Sequence, residues 1–250
     1  MNQIRFYAIE KQCLLSDFLK DTLNLSEKNI QLLLHLGAIY LMADPSRKDF
    51  VRLIGDTELK PGSILRCHHK PRRFLVPSHP KSLIHFENEQ FVVVHKPPGL
   101  PSQMSLDNRI ENIHHQVNLI TKTPLYITHR LDIGTEGLML FAKDEVTQRA
   151  FNEALEARRV RKIYEALAMG PLLPAGILRH WMKTDKRAPK ILSKEQLPLS
   201  KYCELQILES FCEHEKISAI EVAPHQTPPD RDRTLNRYRI QLITGRTHQT

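Results

Sequence analysis

Cysteine is scarce in this chain. Cys13, Cys67, Cys203 and Cys212 lie far apart and form no C-x-x-C pair, which argues against a structural zinc site or a redox dithiol. Reduced thiols in a cytoplasmic protein are the expectation. Long apolar runs are missing too. The most apolar stretch, residues 30–43, is broken by His35 and falls short of the roughly 20 residues a membrane span needs. The start, MNQIRFYAIEKQ, lacks an apolar signal core, so secretion is not indicated. Neither G-x-x-x-x-G-K-[ST] nor G-x-G-x-x-G occurs, leaving a P-loop or dinucleotide reading nothing to rest on. No internal repeat or long low-complexity tract is present. The expectation is a chain without metal, membrane segment or nucleotide cofactor.

What is present bounds the class. The chain has 250 residues, 41% of them apolar, enough for one large domain or a medium domain plus a small one. Its net charge is +8, with a pI near 9.3, a balance that suits a polyanionic partner. Residues 1–75 carry 12 basic and 8 acidic side chains, so positive charge is denser in this short piece, as in an accessory binding module.

Three segments follow from the patterning: a small module over 1–75, a linker over 76–88, and a larger domain over 89–250. In the first, Leu14, Leu15, Phe18, Leu19 and Leu23 fall on one helical face. Ser26 is placed to cap a second helix through Leu36, which Gly37 ends. Strands are expected over 38–42 and after the turn at 59–63. His68-His69-Lys70-Pro71-Arg72-Arg73 then leads into a stretch with Pro77 and Pro80. Arg72 and Arg73 are candidates for phosphate contact at a hinge, against the plainer reading of a solvated charge run.

In the larger domain, Phe91 to Lys96 reads as a buried strand ended by Pro97-Pro98-Gly99. Ile110, Ile113, Val117 and Ile120 recur at helical spacing, and adjacent His114 and His115 on such a helix point in different directions, unlike a metal pair. Asp144 can cap a helix through Ala157. Strands are expected over 160–169, 202–211, 217–222 and 238–244, with a polar loop over 224–236. Many strands and few helices argue for an α+β design, a mixed, largely antiparallel sheet flanked by helices.

The richest segment is His129-Arg130-Leu131-Asp132-Ile133-Gly134-Thr135-Glu136-Gly137-Leu138. It sets one carboxylate between a basic pair and a Gly-x-x-Gly turn, just ahead of an apolar strand. Asp132 and Thr135 could simply cap a turn. The segment, however, resembles the catalytic-aspartate motif H-R-L-D-x-x-T-S-G-L of RNA pseudouridine synthases of the RluA type. Residues 92–100 resemble the same family's V-V-x-K-P-x-G-L element, Lys162-Ile163-Tyr164-Glu165-Ala166 its K-x-Y-x-A element, and Thr244-Gly245-Arg246-Thr247-His248-Gln249 its T-G-R-T-H-Q motif. The helix–helix–strand order of residues 1–75 resembles the alpha-L RNA-binding module of a small-subunit ribosomal protein. Its second helix carries only Lys28 and His35, and the usual Asn-Gly-Lys hairpin is replaced by residues 43–48.

The resemblance implies the pseudouridine synthase fold, an isomerase that needs no cofactor, and ribosomal or transfer RNA as partner. It implies Asp132 as catalytic carboxylate, Arg246 as its ion-pair partner, and Tyr164 as the ring that stacks on the target base. It also implies RNA contacts by His129, which would line the entrance to the site, and by Arg130, which would help occupy the space the target base leaves. Lys96 is a further candidate for RNA contact, and Lys162, Lys183, Lys186, Arg187 and Lys190 are candidates for phosphate contacts, each against the plainer reading of a solvated charge. Glu136 replaces the family's usual Ser and is expected to point away from Asp132, whose pKa it would otherwise raise. The family's closing strands are not matched beyond Thr250, so the chain is expected to be less stable and less active than a version carrying that tail. Two other readings stay open: a non-catalytic RNA-binding relative, and a glycoside hydrolase using Asp132 and Glu136 as its acid pair.

Overall fold

The computed structural model describes residues 4–184, 190–213 and 234–244. The chain divides into two compact units at Asn152 and Glu153.

The first unit opens with β1 (Ile4–Ala8), β2 (Cys13–Leu14), α1 (Leu15–Asp21) and α2 (Glu27–Leu36). Then come β3 (Ile39–Met42), β4 (Val51–Leu53), β5 (Glu58–Leu59) and β6 (Ile64–His68). Ser26 caps α2 by accepting the Asn29 N–H, and Gly37 ends it with φ 65°, a left-handed conformation that costs glycine little. The antiparallel sheet β1-β6-β3-β4 packs on both helices around Leu15, Leu19, Ile30, Leu33, Ile39 and Leu65. Each such leucine removed from water contributes about 2 kcal/mol.

A 3₁₀ turn (Pro80–Leu83) and β7 (Ile84–Glu87) occupy most of the stretch expected as linker. Next come β8 (Phe91–Lys96), α3 (Ile113–Thr121), β9 (Tyr126–Ile127), β10 (Gly137–Ala142) and α4 (Glu145–Glu156), the last crossing the unit boundary. Asp144 caps α4 by accepting the Thr147 N–H at 2.7 Å. The second sheet has the order β7-β8-β10-β9. Val92, Val94, Met139 and Phe141 are its fully buried centre.

Residues 105–111 fasten the two sheets of this unit together. Asp107 is 1% exposed and accepts from the Arg72 backbone N–H, Nε and Nη2 at 2.8, 3.2 and 3.1 Å. Glu111 accepts from Arg73 Nη2 at 2.7 Å and from the Phe74 N–H at 2.8 Å. The Arg109 N–H donates to Leu36 O at the end of α2. Burial pushes the Asp107 carboxyl up, but hydrogen bonds from Arg72 and Ser105 outweigh it and hold the group at about 2. A depressed carboxylate stabilises the fold above its ordinary pKa, and that contribution is lost as pH falls from 3.8 to about 2. Asp107→Asn should therefore cost about 1–3 kcal/mol near neutrality. Urea melts of the two chains should converge as pH drops through that window, and a pH-independent gap would contradict this account.

The second unit holds β11 (Lys162–Met169), β12 (Gly176–Lys183), β13 (Leu192–Ser193), β14 (Ser200–Glu213) and β15 (Leu235–Leu242). They form one sheet of order β11-β15-β14-β12-β13, with Ile207, Tyr238, Ile240 and Leu242 at its core. The strand expected over 217–222 lies outside the described residues. Leu235 and Asn236, expected in a loop, begin β15 instead. The α+β expectation is met, with one difference. Strands expected in a single mixed sheet are divided among separate sheets, and every strand pair among the described residues is antiparallel.

Candidate active site

Asp132 sits half-buried in the turn that leads into β10, and the backbone on either side of it is tied down. Before it, Ser102 Oγ donates to Leu131 O at 2.5 Å and accepts the Leu131 N–H at 3.0 Å. After it, Ile133 O accepts the Gly99 N–H at 2.7 Å and Lys96 Nζ at 3.3 Å. Gly99 has φ +81°, a conformation a side chain would resist. Within the turn the Thr135 N–H donates to the Asp132 backbone O at 3.1 Å. The result is one carboxylate on a backbone held from both sides, which is what a reacting group needs.

Lys96 was expected to touch RNA, and the structure corrects this. It is fully buried, and its ammonium donates to Leu100 O at 2.8 Å, Pro97 O at 2.9 Å and Ile133 O. Burial pulls its pKa down to about 8, against the opposing charges of Asp132 and Glu136. Its work is to hold the 97–100 loop and the Asp132 turn together. Strand alternation could have foretold this, because Val92, Val94 and Lys96 share one parity and hence one face.

His129 is tied into the first unit. Its Nε2 accepts the Leu140 N–H at 3.3 Å, and its ring stacks on Phe151 at 6.3 Å between centroids. Arg130 is exposed. Glu136, which was expected to point away from Asp132, is exposed and pairs with His95 Nε2 at 3.4 Å. Arg72 and Arg73 are about half exposed and already paired with buried carboxylates, so structural pairing consumes much of their charge. Ser102 escaped the sequence reading, since a serine after a K-P-x-G-L element carries no local sign of its reach to residue 131.

Tyr164 and Lys162 belong to the second unit, on one face of β11, with Ile240 and Leu242 as cross-strand partners. Tyr164 packs on that unit's core, and burial lowers the pKa of Lys162. Lys183 ends β12 with its side chain exposed. Arg246, Lys186 and Arg187 lie outside the described residues. Among the described residues no group of three or more His, Cys, Asp or Glu side chains is placed to hold a metal ion, and no helix is long and apolar enough to cross a membrane.

Residues 90–250 match the family model described as RNA pseudouridylate synthase. The chloroplastic RNA pseudouridine synthase 6 of Arabidopsis thaliana is 29% identical over 198 residues, 75% of this chain and 41% of that protein. The ribosomal large subunit pseudouridine synthase D of Yersinia pestis is 31% identical, over 66% of this chain and 46% of its own length. The dual-specificity RNA pseudouridine synthase RluA of Vibrio vulnificus is 29% identical over 70% of this chain and 65% of its own. The chain thus spans less than half the length of the first two. The matched region contains the Asp132 turn, its Lys96 anchor and the strand of Tyr164, and the chain belongs to the RNA pseudouridylate synthase family.

Proposed function

We propose that this chain isomerises specific uridines to pseudouridine in ribosomal or transfer RNA, with Asp132 as the reacting carboxylate. The bond from ribose C1′ to uracil N1 breaks, the base turns, and C1′ is joined to C5, which gives up its proton to solvent while N1 takes one up. Atoms and electrons balance within the nucleotide, so the reaction needs no redox partner or energy source. It needs one ionised carboxylate as nucleophile or base and a route for the proton. The observation that carries the reading is the Asp132 turn, held on both sides by Ser102, Gly99 and Lys96 and matching the family's motif.

The other roles follow the motifs. Tyr164 stacks on the extruded base, Arg246 pairs with Asp132, and Arg130 helps occupy the space the base leaves. Arg246 suits that role because a guanidinium both favours the charged carboxylate and fixes its orientation. A relative named for the large ribosomal subunit favours ribosomal RNA as the first substrate to try.

The test is release of tritium from RNA labelled at uracil C5, followed by mapping of the modified site. Release with a single new pseudouridine is expected. Binding of RNA without release would leave a non-catalytic RNA-binding relative and sink the isomerase reading.

A further inference from the structure

The N-terminal sheet has a face that the Asp132 chemistry does not use. One cross-strand row runs over it through Phe6, Arg66, Tyr40 and Arg52, set by the pairings Phe6↔Arg66, Tyr40↔Arg66 and Tyr40↔Arg52. Cations and rings alternate along this row. The Arg66 guanidinium lies 4.1 Å from the Tyr40 ring centre and 4.6 Å from that of Phe50. Arg52 approaches Tyr40 from the other side at 4.9 Å. Phe6 meets Phe50 edge to face at 5.9 Å.

Half of the row is roofed. Tyr40 is 5% exposed and donates its hydroxyl to Leu106 O at 2.8 Å, while Arg52 Nη2 donates to Ser105 O at 2.8 Å. The outer half is open, with Phe6 60% exposed and Phe50 and Arg66 half-buried. The helices cover the opposite face, so the open rings do not belong to the core. The four strands of this sheet carry not one carboxylate, and of their cations Arg52, Arg66 and His68 share this face, while Arg5, opposite core Cys67, is on the other. Buried Arg66 Nε and Arg52 Nη1 find no acceptor among the described residues.

We infer that this open face binds a single-stranded RNA segment, with Phe6 and Phe50 stacking on bases and Arg66 presented to the backbone. Charge selects the occupant. The Asp107 carboxylate acts on Arg52 at the roofed end, whereas Arg66 at the open end has no carboxylate on any strand beside it, so a phosphate backbone releases counterions there and an uncharged protein segment does not. Ring and guanidinium faces accept any base, so the contact would be tolerant of sequence. The inference rests on the RNA reading above only for the class of polymer. It shifts the module's contact from the second helix, which is poor in cations, to the sheet.

The experiment is fluorescence anisotropy of the full chain with a labelled, unstructured oligoribonucleotide across a salt series. Phe6→Leu keeps the bulk and loses the ring, and Phe6→Tyr keeps the ring. The leucine variant should raise Kd about fivefold or more with an unchanged salt slope, and the tyrosine variant should bind as the parent does. Arg66→Gln should lower the salt slope by about one. Parent-like binding by both Phe6→Leu and Phe50→Leu overturns the inference. So does light scattering that shows Phe6 holding two copies of the chain together while RNA affinity is unchanged. Tritium release from the same preparations separates the two readings. A chain that releases none yet needs Phe6 for binding loses the isomerase assignment and keeps this one. An active chain with Phe6-independent binding does the reverse.

Discussion

Asp132→Asn should lower the rate of tritium release by about four orders of magnitude or more, the scale on which removal of a reacting group is felt. Asparagine keeps the shape and removes the charge, the nucleophilicity and the basicity together. The fold should survive, because the turn is held through backbone groups on either side of the side chain: Ser102 to Leu131, and Gly99 and Lys96 to Ile133. RNA affinity should survive as well, since exposed cations such as Arg130 are untouched. Single-turnover kinetics, a urea melt and a binding curve on one preparation give the three readouts. Turnover near that of the parent chain would end the proposed mechanism. Lost turnover with a lost fold would move Asp132 from chemistry to structure.

The parts of the fold legible in the sequence are those whose signals are local. Ser26 and Gly37 bracket α2 and Asp144 opens α4, because a cap is a contact made within three or four residues. The alternation in β8 and the apolar run of β10 are local in the same sense. Legibility fails where a residue's partner is far along the chain. β12 has hardly a buried side chain and gives no strand signal of its own, although β14 pairs beside it along its whole length. α3 starts at Ile113, not Ile110, because Asn108 Oδ1 takes the N–H groups of Ile110 and Glu111 and Asn112 then caps the helix. Arg72 and Arg73 read as phosphate contacts or solvated charges, and their ion pairs stay hidden because Asp107 and Glu111 lie 35 and 38 residues away.

The candidate site shows the same division. The sequence singles out Asp132 because a whole motif surrounds it, but it gives no sign of the contacts that hold the Asp132 turn, since they join residues 96–102 to residues 131–133.

Lys96→Met should be the most destabilising single change near the site, at about 3 kcal/mol. It leaves the carbonyls of Pro97, Leu100 and Ile133 without their shared donor, and a buried acceptor left unsatisfied costs about 1–3 kcal/mol. Relief of the buried charge offsets part of that loss. The charge also gives the effect a pH signature. The folded pKa is about 8, below the ordinary 10.5, so between those values the unfolded chain holds more protons than the folded one. Stability contributed at this position therefore rises with pH across that window. Methionine lacks the term, so the gap between parent and variant should widen from about pH 8 upward. Activity should fall with the turn's loss of order, as a drop in kcat. RNA affinity and its salt slope should stay put, because the ammonium never reaches solvent. A variant that folds like the parent but binds RNA with a slope reduced by about one would return Lys96 to the RNA-contacting role its sequence position first suggested.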